Sequence, residues 1–183
     1  MIKAMKALYW VMKENIALRK WHSLKDLLGQ CSVDLSPLDY AGNVKYDSRV
    51  IIAELVEAMA IVVSQDTQRL INESTFCGIL MDETTDASNL GILDLHLRLV
   101  KNGVVTSRFG TVLALPGRTA DIITGCVKEW CTGQQIPLTQ AHFGSDGSST
   151  FTGIHNGVVA RLKRNNPTAI GVHCVCHHKA LAA

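Results

Sequence analysis

Two aspartates occupy matching places in this chain, and their setting suggests what they could do. The apolar run Phe76-Cys77-Gly78-Ile79-Leu80-Met81 stops at Asp82 and passes into Glu83-Thr84-Thr85-Asp86. A second segment, Ala141-His142-Phe143-Gly144-Ser145, stops at Asp146, followed by Gly147. A short unbroken apolar run predicts a strand buried on both faces. Open α/β sheets keep their chemistry at the carboxyl ends of such strands. Two carboxylates held side by side repel when both are ionised, and a divalent cation is the ordinary remedy. Oxygen donors favour Mg²⁺ or Mn²⁺. Two such ions about 4 Å apart clamp the attacking and leaving oxygens of an in-line phosphoryl displacement. That chemistry ordinarily takes a third carboxylate, for which Glu83 and Asp86 are the nearest candidates. The plainer alternative makes Asp82, Asp86 and Asp146 turn or cap residues, because an Asp side chain bonds its own backbone two residues on.

A second constellation is His173-Cys174-Val175-Cys176-His177-His178. Cys174 and His177 have Cys-x-x-His spacing, which offers two zinc ligands where a structural site takes four. Cys126 and Cys131 do not complete the set, because both fall on one predicted helix. The alternatives are a strand-to-helix junction with one hydrogen-bonded His, or a His177 placed near the carboxylates to contact a phosphate oxygen. The chain has no phosphate-cradling Gly-rich loop and no Gly-x-Ser-x-Gly elbow.

The elements that must position these groups follow from periodicity. Residues 1–29 predict helix, with Leu8, Val11, Met12 and Ile16 in one stripe and Ser23 capping a second short helix that ends at Gly29. Residues 30–47 predict a loop. Arg49 to Asn72 predicts a long helix whose stripe is Ile51, Ile52, Leu55, Met59, Val62 and Val63. After Asp86 the period changes to two: Leu93, Leu95, Leu97 and Leu99 alternate with Asp94, His96 and Arg98. Asn102-Gly103 then predicts a hairpin into a returning strand, Val104 to Leu115. Thr119 caps a helix to about Thr132, and the Ala141 strand follows, which implies a crossover and parallel pairing with the Phe76 strand. Residues 153–165 predict a helix, 170–174 a strand, and 175–183 the start of another helix.

The 183 residues suffice for one sizeable domain with a smaller helical piece. The division expected is an N-terminal helical region, 1–75, and a sheet domain, 76–183. A hydrophobic fraction of 47% suits a packed core. A net charge of +2 gives no general basic field for nucleic acid. Six Cys, with no signal peptide at the N-terminus, are expected to be reduced intracellular thiols. No stretch reaches the roughly 20 apolar residues of a membrane span.

Taken together, these motifs resemble the hAT superfamily of transposases and its domesticated, zinc-finger-associated relatives. Gly78 to Asp86 resembles the family's first catalytic motif, and Leu97 to Gly103 its strand and Asn-Gly turn. Ser145-Asp146-Gly147 with Gly153 and Gly157-Val158 resembles the second motif, and Val172 to His177 the Cys-x-x-His segment continued by Lys179 to Ala182. The resemblance implies an α/β, ribonuclease H-like mixed sheet with N-terminal helices, incomplete at the C-terminus, and Mg²⁺- or Mn²⁺-dependent DNA transposition. It carries the first two catalytic carboxylates onto Asp82 and Asp146, and the zinc-type motif onto Cys174 and His177. The family's late catalytic Glu lies beyond Ala183. The expectation is therefore a fragmentary or domesticated domain with a vestigial site, located in the nucleus. Its partners would be DNA or a nuclear protein, not a membrane or a small-molecule substrate. The alternative is an active nuclease that draws a third carboxylate from elsewhere.

Overall fold

The computed structural model describes residues 2–33, 39–40, 44–45, 48–85 and 89–174. Two compact units, Met1–Asp66 and Thr67–Ala183, divide inside one long helix. The first unit holds α1 (Ile2–Lys13), α2 (Trp21–Gln30), the two-residue strands β1 (Asp39–Tyr40) and β2 (Val44–Lys45), paired antiparallel, and most of α3 (Arg49–Glu73). Its core gathers Ala4, Leu8 and Val11 from α1 around Trp21 and Ile52. The helix break comes earlier than the periodicity suggested. Asn15 takes a left-handed φ of 52° after α1, and a short 3₁₀ turn, Leu18–Lys20, leads into α2. Ser23 therefore lies inside α2 and caps nothing. The α3 stripe is also shorter than expected, since Val62 and Val63 are exposed.

The second unit is organised by β3 (Phe76–Thr85), β4 (Gly91–Lys101) and β5 (Val104–Leu115), followed by α4 (Ala120–Gly133), β6 (Ala141–Ser145), α5 (Ser149–Thr152), α6 (Val158–Lys163) and β7 (Gly171–His173). The sheet order is β5-β4-β3-β6-β7, antiparallel through β3-β4-β5 and parallel through β3-β6-β7. Period-two alternation sends Leu93, Leu95, Leu97 and Leu99 to one face, where they meet Ile79 and Met81 of β3 and Phe143 of β6. α4 covers that face with Ile123, Val127 and Cys131, one turn apart, and Phe151, Val158 and Leu162 complete the core. Thr119 caps α4 as its sequence predicts, its hydroxyl accepting from the Ile122 amide at 3.4 Å.

Three local features set the strand geometry. Asn102 (φ 51°) and Gly103 (φ 76°) form the tight β4–β5 turn, which demands left-handed backbone at both positions. Gly110 is the extra residue of a bulge, because Leu95 pairs with Thr111 while His96 pairs with Phe109. A Cβ there would stand 2.7 Å from the Leu95 carbonyl oxygen, so only glycine fits. Buried Asn166 ties the start of β6 in place, donating to the Ala141 carbonyl oxygen at 3.2 Å while its own oxygen accepts from Thr168.

Two expectations need correction here. β3 is not buried on both faces: Phe76 and Leu80 are 55% and 43% exposed, because among the described residues no element covers that side. The helix expected over 153–165 is shorter, Val158–Lys163: residues 153–157 form a turn in which Gly153 and Gly157 bring their backbones together, and a Cβ on Gly153 would lie 3.3 Å from the Gly157 amide nitrogen. The helix expected over 175–183 lies outside the described residues.

Core burial pushes the thiol pKa of Cys77 up to about 11. Burial, with Cys77 beside it, takes Cys131 to about 12. Both values are raised above the ordinary 9.0, so the folded state holds these protons longer than the unfolded chain. Their contribution to stability is complete below pH ~9 and is lost as pH rises toward ~12. Thermal unfolding followed from pH 8 to 11 should show a falling midpoint. Cys131→Ala should flatten that slope while lowering the midpoint at pH 8 through lost packing. In native alkylation at pH 8, exposed Cys31 and Cys174 should react and Cys77 and Cys131 should stay protected.

Candidate functional site

The parallel ladder between β3 and β6 runs from Cys77 opposite Ala141 to Met81 opposite Ser145. Asp82 follows within β3 and Asp146 just past the end of β6, and both line one cavity of about 400 Å³. Two groups 64 positions apart are thus delivered to the same edge, as the crossover predicts. β3 itself continues past Asp82 to Thr85, still paired with β4. Asp82 is therefore the point where the strand leaves β6, not its end.

The cavity floor is mostly apolar, with Leu80, Met81 and Val172. Gly144 keeps it open: a Cβ there would come within 2.7 Å of a Leu80 methyl. Cys174 reaches the cavity because its amide donates to the Ser145 carbonyl oxygen at 2.8 Å. Gly147, in the loop after Asp146, packs so close to the His173 ring that any side chain at 147 would overlap it.

Asp146 also performs the local work of a turn residue, its Oδ1 accepting from the Ser148 amide at 3.2 Å. The turn and ligand alternatives are therefore compatible for this residue. Glu83, one of the two nearby candidates for a third carboxylate, points away and pairs with Arg118 at 3.1 Å. Asp86 and His177 lie outside the described residues, so the Cys174–His177 pair is represented only by exposed Cys174.

The structure adds a carboxylate that the motifs did not single out. Asp94 stands directly opposite Asp82 in the β3–β4 register and lines the same cavity. Its Oδ2 lies 3.3 Å from Nε2 of His96. Its Oδ1 is buried without a hydrogen-bond partner, the kind of atom that a cation or a donor would satisfy. Parity within the β4 alternation places Asp94 and His96 on one face. Only the pairing of β3 with β4 puts Asp94 against Asp82.

Carboxylate oxygens suit a hard divalent cation. Their arrangement falls short of a closed ligand set: among the described residues, no three His, Cys, Asp or Glu side chains gather closely enough to hold a metal ion. The residues present match such an ion in kind but not in number.

A five-stranded mixed sheet of this order, with carboxylates where its parallel strands part, defines an RNase-like domain. The chain belongs to the ZMYM1/FAM200, RNase-like domain family (DUF4371), which matches residues 33–157 and so includes both Asp82 and Asp146. The family is transposase-derived.

Like charges directly opposite on paired strands destabilise a sheet by roughly 0.2–1 kcal/mol. In buffer with EDTA, Asp94→Asn should therefore raise the thermal midpoint by about a degree or more. Asp82→Asn should do the same, and the double variant should gain less than the sum. Calorimetry on the three variants checks this. A fall in midpoint for both single variants would show that the two carboxylates do not repel.

Proposed function

We propose that this chain is a domesticated, hAT-type transposase-derived domain with an incomplete phosphoryl-transfer site. It acts by binding DNA or a nuclear protein, not by turning over substrate. The observation that carries the transposase-derived reading is the placement of Asp82 and Asp146 on one cavity, where β3 and β6 part. The family membership supports the transposase origin. The net charge of +2 favours a localised contact over a general electrostatic hold on DNA.

A divalent ion, when bound, would supply charge neutralisation and activation of a water or hydroxyl nucleophile. Asp82 and Asp146 are the residues that would hold it. Asp82 presents its carboxylate from the β3–β4 pair, and Asp146 presents one already oriented by the Ser148 amide. A second reading, an active metal-dependent nuclease, is favoured by one observation: Asp94 supplies a third carboxylate to the same cavity.

A nicking assay on supercoiled plasmid with Mn²⁺ or Mg²⁺ separates the two. The full chain should nick no faster than its Asp82→Ala and Asp146→Ala variants, and Mn²⁺ titrated by calorimetry should bind weakly or not at all. Metal-dependent nicking abolished by Asp82→Ala would sink the incomplete-site reading. Loss of that nicking in Asp94→Ala as well would assign the third carboxylate.

A further inference from the structure

Chemistry-bearing side chains also gather in the first unit, around a cavity of about 370 Å³ that the motifs did not single out. Among the described residues it is lined by Leu18, Arg19, His22, Arg49, Ile52 and Ala53. Leu18 and Arg19 belong to the 3₁₀ turn that leads into α2, and His22 is the second residue of α2. Arg49 opens α3, and Ile52 and Ala53 share its face three and four residues on. Both walls are fixed by the surrounding structure. Trp21 and Ile52, 1% and 6% exposed, belong to the same small core, which holds the start of α2 near the start of α3. Ser48 secures the first turn of α3: its hydroxyl accepts from the Ile51 amide at 3.3 Å and its carbonyl oxygen from the Ile52 amide at 2.9 Å.

This corner of the unit has donors without acceptors. Two guanidinium forks and an imidazole line the cavity, and among the described residues no carboxylate does. Among those residues, too, none of the three side chains has a hydrogen-bond or ion-pair partner. Neither α2 nor α3 carries an acidic residue in its first turn, where one would offset the positive helix end. The indole N–H of Trp21, between Arg19 and His22 in the chain, is buried with no hydrogen-bond partner. An indole nitrogen only donates, as does a guanidinium, so the unmet need is for acceptor oxygens. Leu18, Ile52 and Ala53 supply an aliphatic floor beside the cations.

We propose that this cavity binds a phosphorylated side chain of a partner protein. The phosphate lies among Arg19, His22 and Arg49, and an adjoining apolar group of the partner lies on the aliphatic floor. A phosphomonoester brings three acceptor oxygens and a charge of about −1.5 to −2, a match for two guanidinium forks and an imidazole. Arg clusters are the ordinary means of reading such groups in peptides. A single carboxylate would answer one fork and leave the other unmet. A volume of about 370 Å³ stands at the low end of small-ligand cavities, enough for one modified side chain and its neighbour. Nucleic acid fits less well on two counts. Among the described residues no Phe, Tyr or Trp ring lines the cavity to stack a base. The first unit also holds eight Lys and Arg against eight Asp and Glu, so no extended basic field surrounds the cavity for a phosphate backbone to follow. Nothing in this binding depends on Asp82, Asp94 or Asp146.

Titration of the full chain with a short peptide carrying one phosphoserine between two leucines tests it, followed by proton–nitrogen correlation spectra. The amides of residues 18–22 and 48–53 should shift in a saturable way, and the unphosphorylated peptide should leave them in place. Arg19→Gln and Arg49→Gln should each weaken binding about tenfold or more, because each removes charge-assisted hydrogen bonds. Without peptide, both variants should keep the parent's thermal midpoint, since neither guanidinium has a partner to lose. Adenosine monophosphate and a short DNA duplex should each displace the peptide less well than the same peptide does. A phosphopeptide that shifts no amide of these residues would overturn the proposal, as would equal binding of the unphosphorylated peptide. Binding that survives both Arg variants, or variants that lose several degrees of midpoint, would count against it equally. Stronger displacement by the nucleotide or the duplex would assign the cavity to nucleic acid instead.

Discussion

The short parallel ladder between β3 and β6 is the constraint on which everything else rests. It spans five residues on each strand, from Cys77 with Ala141 to Met81 with Ser145. Parallel pairing requires a crossover, and here the crossover is α4, which fills the covered face with Ile123, Val127 and Cys131. The same helix that closes the core therefore sets the position of Asp146 against Asp82. Loosening α4 would not only weaken packing. It would change the spacing of the two carboxylates, which stand on the strands that the helix joins.

The site and the stability of the sheet pull in different directions. Solvent-exposed Asp82 and half-buried Asp94 sit directly opposite one another beside a largely apolar floor, like charges on paired strands. His96 and the Ser148 amide each relieve one carboxylate, and Oδ1 of Asp94 is left with no partner. A sequence selected for stability alone would place Asn or Thr at one of these positions. The retention of three carboxylates around one cavity matches an origin in an enzyme whose carboxylates had work to do.

Much of this was legible in the chain, for identifiable reasons. The β4–β5 hairpin was readable because Asn102-Gly103 and a strict alternation of Leu are both local signals. The same holds for the Thr119 cap of α4. The nearness of Asp82 and Asp146 followed from a topological rule, strand then helix then strand. What failed was whatever depended on absent or distant partners. The Phe76 run looked doubly buried because composition cannot say which faces are covered. The 153–165 run looked helical throughout because its apolar spacing is helical, while the Gly153–Gly157 backbone contact that delays the helix to Val158 is a matter of close approach. Asp94 passed unnoticed because cross-strand register between β3 and β4 leaves no trace in either strand alone.

The contact between Gly147 and the His173 ring has a consequence for how this sequence can change over time. Gly147 has no left-handed backbone requirement; its constraint is the volume already filled by a residue 26 positions away. Alanine at 147 would require the His173 ring to swing out of its place, whereas a smaller residue at 173 would leave room for it. The two positions are therefore coupled through the volume of one imidazole, and a change at either alters what the other can accept.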